Sequence, residues 1–237
     1  PLPSVTTVLK TLGLSKEALI KWAVNLERDA IFAALEAVLA TSRRMMSPHE
    51  FAQAVEDRLG PIRQHQKALT KAGDMGTMVH QTVQDWLRAK MLDSPAPSTI
   101  SLPVEGVFAL AAFETWFEGS GLTPVRLEQP VWSELGYAGT VDLIASHPER
   151  GLGIVDFKTG KGVYDEYHLQ VAAYLKAGRN WADLKWGSIV RLPKLKSDPG
   201  FEVKELGEMY QRRLTEGELM TAFLGTLEAY RVLVWKP

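Results

Sequence analysis

The periodicity of this chain predicts an α/β fold, a central mixed β-sheet flanked by helices with a helical N-terminal layer. Three observations carry that expectation. Apolar residues recur at helical spacing through the first half of the chain. Beyond Gly119 the pattern shortens to that of extended strands. A helical stretch then separates a third strand from two further ones, an order that places helices against a sheet.

The elements follow in order. From Ser15 to Ala40, residues Leu19, Trp22, Leu26, Phe32, Leu35, Val38 and Leu39 fall at roughly helical spacing, with Ser15 as a candidate cap. A second helix is expected from Ser47 as cap and Pro48 at the first position, through Phe51, Val55 and Leu59 to Gly60. Pro61 to Lys71 reads as another helix or an ordered basic connection, and Gly73-Asp74-Met75-Gly76 as a break before a helix over Thr77–Met91. Residues 93–98, with two prolines, read as a surface loop. Leu102 to Glu118 is an expected helix whose buried stripe is Val107, Leu110, Phe113 and Phe117. Strands are expected over Val125–Ser133, Tyr137–Ile144 and Gly153–Phe157, then a helix over Glu166–Ala177. Trp186–Leu192 and Phe201–Leu206 read as two more strands, and Glu208 to Val234 as a long closing helix. The organisation expected is one domain over 1–237, with an N-terminal layer (1–72), a core (73–206) and a closing helix (207–237).

Composition narrows the function classes. The chain is 46% hydrophobic and 23% charged, an ordinary globular balance. No run of eighteen apolar residues occurs, so no membrane span or membrane partner is expected. The opening Pro1-Leu2-Pro3-Ser4 lacks a charged n-region, so a cytoplasmic location without a signal peptide is expected. The absence of cysteine excludes disulfides, iron–sulfur clusters, thiolate zinc sites and cysteine nucleophiles. A formal net charge of −1 gives no overall basic field, so a polyanion must be met by a local basic patch or a bound metal.

The segment Gly153-Ile-Val-Asp-Phe-Lys-Thr-Gly-Lys161 is the most informative. Asp156 and Lys158 lie two apart on a strand and project from the same side. A carboxylate can hold a hard divalent cation, and a neighbouring ammonium can offset negative charge. Gly139-Thr140-Val141-Asp142 brings a second carboxylate on the preceding strand, and the Pro148–Gly151 connection suits a hairpin. Two adjacent carboxylates repel unless a cation lies between them, which favours Mg²⁺ or Mn²⁺. His80 shares a helical face with Val83 and Leu87, and Gln170 with Tyr174. Taken singly, each segment also has an ordinary structural reading. His80 suits a core histidine, Gln170–Tyr174 a polar pair at a helix edge, and Asp142, Asp156 and Lys158 an ion-pair network.

Together, Gly76-Thr77-x-x-His80, Gly139-x-x-Asp142, Asp156-x-Lys158-Thr159-Gly160 and Gln170-x-x-x-Tyr174 resemble the RecB-like branch of the PD-(D/E)XK nuclease superfamily. They match it in order and approximate spacing over roughly Gly73 to Tyr174. The resemblance implies a restriction-endonuclease-like core and a metal-dependent deoxyribonuclease, of the exonuclease kind in recombination, repair or phage DNA processing. It implies one or two Mg²⁺ or Mn²⁺ ions held by His80, Asp142, Asp156 and the Phe157 carbonyl. Lys158 is implied to position or activate the attacking water, with Gln170 and Tyr174 holding the reacting strand or the lysine. Glu128 lies where many members carry a glutamate on the preceding strand. Lacking cysteines, the chain resembles the cluster-free members. It has no helicase segment, so it works on linear DNA alone, as an oligomer, or beside a partner such as a strand-annealing or recombination protein.

Candidate phosphate contacts are Lys67, Lys71, Lys161, Arg191, Lys194 and Lys196, with the hydroxyls of Ser4, Thr6 and Thr7. Most of the seven tryptophans read as core. An endonuclease and a non-catalytic DNA- or protein-binding module on the same fold are the competing functions.

Overall fold

The structure is a computed structural model. It describes every residue except 14, 15, 99–101, 195, 196, 199, 210, 236 and 237, and the side chains of 16 and 18 are also outside the described set. The expected cap Ser15 and phosphate contact Lys196 therefore lie outside the described residues. The chain divides into two compact units, one formed by Pro1–Gly13 with Gly76–Pro237, the other by Leu14–Met75. The first thirteen residues thus belong with the sheet, where the sequence expectation had grouped them with the N-terminal helices.

The smaller unit holds α2 (Lys16–Thr41), α3 (Pro48–Leu59) and the start of α4 (Gln64–Met91). Ser47 accepts from Glu50 N–H while the Glu50 carboxylate accepts from Ser47 N–H, a reciprocal cap with Pro48 following it. Arg44 and the Ser47 N–H hold the Glu50 carboxyl down at about 2. Ala34 and Val38 of α2 bury against Val55 of α3. Glu27 reaches across to the start of α4, accepting from the His65 backbone N–H at 2.9 Å.

α4 passes unbroken through the tetrad 73–76, where a break was expected. Each glycine costs the helix about 1 kcal/mol. Gly76 sits close to the end of β3, where a Cβ would stand 3.2 Å from Thr159 Oγ1, a tight contact.

The larger unit is built on a five-stranded sheet in the order β1 (Thr123–Ser133), β2 (Tyr137–His147), β3 (Gly151–Thr159), β4 (Trp186–Leu192), β5 (Glu202–Glu205). All neighbours are antiparallel except β3 and β4, which are parallel and joined by α6 (Asp165–Gly178). The sheet is therefore mixed and flanked by helices, as the sequence predicted. β4 is buried along all seven residues, the signature of a strand covered on both faces.

One face carries α6, α7 (Glu216–Leu233) and the short α1 (Val5–Leu9), sharing a core with Val131, Tyr137, Val141, Ile154 and Ile189. The other face carries α5 (Val104–Gly119). Its Phe113 and Trp116 stand edge-on to Phe157 at 5.6 Å, and Trp86 of α4 is edge-on to Phe113. Burying each such ring contributes about 2–3 kcal/mol.

α7 begins at Glu216, eight residues later than expected. Thr215 and Glu218 form a reciprocal cap there. Gly207, at φ +85°, packs its Cα against the Leu214 carbonyl, so the chain turns before it can coil. Only Trp116 and Trp186 among the tryptophans are buried, whereas Trp22, Trp132, Trp181 and Trp235 are exposed, correcting the expectation that most are core. Among the described residues no helix is long and apolar enough to cross a membrane.

Candidate active site

The paired register of β2 with β3 ends at Leu143↔Val155. One residue beyond, Asp142 and Asp156 face each other where the strands part. The Phe157 N–H is taken instead by the Asp142 side chain, Oδ2 accepting at 2.8 Å. His80 of α4 brings Nδ1 to 3.6 Å from the same oxygen. On β3, the Lys158 ammonium lies 2.6 Å from Asp156 Oδ2. That contact is an ion pair without hydrogen-bond alignment, and the buried Oδ2 has no other polar partner.

α6 closes the other side. Gln170 and Tyr174 are both buried, and the Gln170 amide donates to the Tyr174 hydroxyl at 2.8 Å. Gly139 explains how Tyr174 fits: a Cβ at 139 would lie 2.3 Å from Tyr174 Cε1, so only glycine lets the ring reach the sheet.

Electrostatics sort the groups. Burial, and then the Asp156 carboxylate, hold the Asp142 carboxyl well above the usual carboxylate range, against the pull of Lys158 and the Phe157 N–H. Burial pulls Lys158 down, but Asp156 and Asp142 outweigh it and leave the ammonium more basic than usual. Burial lowers His80, with Asp156 opposing, so its imidazole is neutral at pH 7 and keeps a lone pair. Burial, reinforced by Asp156, pushes the Tyr174 hydroxyl up to about 12.

Of these groups, His80 and Asp142 open into a cleft of about 440 Å³ lined also by Gly76, Thr77, Gln81, Gln84 and Glu128. Glu128 sits on β1 at φ +47°, a left-handed conformation rare for a residue with a Cβ. The pairs Leu127↔Leu143 and Gln129↔Val141 place it across from Asp142. Gln84 of α4 donates to its carboxylate at 2.6 Å. Backbone strain of this kind costs about 1–3 kcal/mol and concentrates at working sites.

Among the described residues, no group of three or more histidine, aspartate or glutamate side chains stands in a metal-holding arrangement. Asp142 is engaged by Phe157 N–H, and Asp156 by Lys158. The donor chemistry nevertheless fits a hard divalent cation: two opposed carboxylates, a neutral imidazole, and one buried carboxylate oxygen lacking an aligned hydrogen bond.

The remaining sequence candidates lie apart. Lys161 is exposed on the loop after β3. Arg191 pairs in register with Lys158 and is 1% exposed, its Nε 3.7 Å from Glu202. The Lys194 backbone N–H donates to Asp198. Ser4 caps α1, accepting from Thr7 N–H, and shares hydrogen bonds with the Thr6 and Thr7 hydroxyls beside Ala138 of β2. Lys67 and Lys71 are exposed on the smaller unit. The sequence reading passed over Gln84 and Tyr167. Each shares a helical face with a residue it singled out, Gln84 one turn after His80 and Tyr167 one turn before Gln170.

A family model described as the PD-(D/E)XK nuclease superfamily matches residues 46–205. Among solved structures, the chain is similar to SSO0001, with 14% identity, a TM-score of 0.34, and 67% of this chain and 76% of that one covered. It is also similar to an alkaline exonuclease from Laribacter hongkongensis, with 12% identity, a TM-score of 0.34, and 63% and 79% covered. No curated protein matches the chain by sequence.

Proposed function

We propose, from the premise that this chain belongs to the PD-(D/E)XK nuclease superfamily, that it is a divalent-metal-dependent exonuclease acting on linear DNA. The observation that carries the reading is the meeting of Asp142, Asp156 and Lys158 where β2 and β3 part, with His80 above them. His80, Asp142, Asp156 and the Phe157 carbonyl would hold Mg²⁺ or Mn²⁺. Such an ion supplies Lewis acidity and lowers the pKa of bound water.

The chain's own groups divide the rest of the work. Lys158 is held as an ammonium by two carboxylates, so its part is to orient the water and offset charge growing on the phosphate, not to accept a proton. Tyr174, neutral and buried with Gln170 as its donor, fixes the α6 wall beside the lysine. The 440 Å³ cleft leaves room for a strand beside Gln81 and Gln84.

The order of the four motifs supports the exonuclease over the endonuclease. Lys161, Lys194, Ser4 and Thr6 are the proposed backbone contacts, acting without base reading. The two units are taken as parts of one nuclease, working in recombination, repair or phage DNA processing, alone or with a strand-annealing partner.

Digestion of end-labelled linear single- and double-stranded DNA beside closed circular DNA, with Mg²⁺, Mn²⁺ or EDTA, tests this. Metal-dependent loss of linear DNA alone, abolished in Lys158→Ala, is expected. Cutting of circles would favour an endonuclease, and binding without cleavage a non-catalytic module.

A further inference from the structure

The loop joining β3 to α6 ends on Tyr164, the N-cap residue of α6, whose side chain makes no capping hydrogen bond. A serine, threonine, asparagine or aspartate there would contribute about 1 kcal/mol, so the tyrosine is present at the helix's expense. Its ring stands edge-on to Tyr167, centroids 5.5 Å apart at 77°. Tyr164 remains 49% exposed. The Tyr167 ring in turn lies 5.0 Å from the Lys158 ammonium, a cation–π contact. An unbroken series of contacts therefore runs from the Asp156 carboxylate through Lys158 and Tyr167 to an open aromatic ring. The loop before it leaves open space beside two glycines: a Cβ at Gly160 or Gly162 would meet nothing within 4 Å, and Lys161 between them is exposed.

We propose that Tyr164 is the stacking platform for an unpaired base of the strand being cut, seated on Tyr167, which also positions Lys158. The inference rests on the nuclease reading above and adds the substrate class, a single-stranded or frayed end. A base inside a duplex has both faces covered by its neighbours and a paired terminal base has one covered, whereas an unpaired base is free to present a face to a ring near Lys158. Stacking on a ring is tolerant of sequence, which suits an enzyme that removes successive nucleotides. Lys161 on the same loop is placed to meet the adjoining phosphate.

The test uses a fluorescein-labelled single strand carrying an abasic residue at each position in turn, bound with Ca²⁺ in place of Mg²⁺. Unaltered protein should lose about tenfold to a hundredfold in affinity at one abasic position near the cut end. Tyr164→Ala should lose as much on the intact strand, nothing further on that abasic strand, and Tyr164→Phe should bind like the unaltered protein. Tyr167→Leu should lower kcat more than it raises KM, and Tyr167→Phe should restore kcat. Equal affinity at every abasic position would overturn the proposal, as would losses in Tyr164→Ala that add to the abasic loss. The abasic series uses the unaltered chain and so does not depend on how the variants fold. An unaltered protein that neither binds nor cuts any DNA would sink the nuclease reading itself; normal cutting with no abasic effect sinks only the stacking role.

Discussion

Asp142 accepts the Phe157 N–H in a half-buried position beside a second carboxylate, so one contact favours its charge while burial and Asp156 oppose it. A carboxyl raised in the folded state stabilises the protein at low pH and loses that contribution as pH rises through its folded pKa. Asp142→Asn keeps the acceptor for Phe157 and removes the repulsion. It is therefore expected to raise the thermal midpoint at pH 7.5 in EDTA while lowering cleavage by about a hundredfold or more. A midpoint below that of the unaltered protein would contradict the assignment. Gly139 offers a second test. Alanine there drives Tyr174 from its seat, with an expected loss of about 1–3 kcal/mol in urea unfolding and a fall in kcat. These residues were legible in the sequence because strand alternation and helical spacing fix which side chains share a side. The exchange of a ladder hydrogen bond for a side-chain one at Phe157 was not, since it depends on where β2 and β3 part.

Among the elements, β1 carries Glu128 at φ +47°, and no propensity announces a left-handed glutamate inside a strand. Glu128→Ala and Glu128→Gly both lose the contact with Gln84, but only glycine relieves the backbone. Glu128→Gly should be the more stable of the two by about 1 kcal/mol in chemical denaturation, and equal stabilities would argue against strain. The caps behaved as the sequence suggested at Ser47, where serine, proline and glutamate coincide. α4 hid its length because Gly73 and Gly76 read as a break, while the second of them lies in close approach to Thr159. α7 hid its start because the helix-compatible run from Glu208 is overridden by the Gly207 turn. Thr215→Ala should cost about 1 kcal/mol in thermal unfolding of the whole chain, the ordinary value of a cap.

At the scale of the molecule, the sheet order 1-2-3-4-5 was beyond the sequence, because pairing partners depend on contacts far apart in the chain. The strands themselves were visible from their apolar content. Stability across pH is a property of the whole, and His168 gives it a measurable part. The ring is buried on α6, its Nδ1 accepts from the Gly207 N–H, and burial lowers its pKa. A histidine kept neutral by folding contributes stability above its unfolded pKa of about 6.5 that fades as pH falls through its lower folded value. The deficit of His168→Asn relative to the unaltered protein should therefore narrow between pH 7 and pH 5 in thermal unfolding. A deficit that widens over that range would contradict the buried neutral ring.

The β2–β3 turn, tightened by Gly151 at φ +71°, lies at the opposite end of β3 from Lys158. Six residues of strand, Gly151 to Asp156, separate that turn from Phe157, about 20 Å. A biotin or surface tether attached at Glu149 would therefore anchor the protein with its cleft turned away from the support. Single molecules could then be assayed for the proposed shortening of a strand, with the attachment chemistry well away from Lys158.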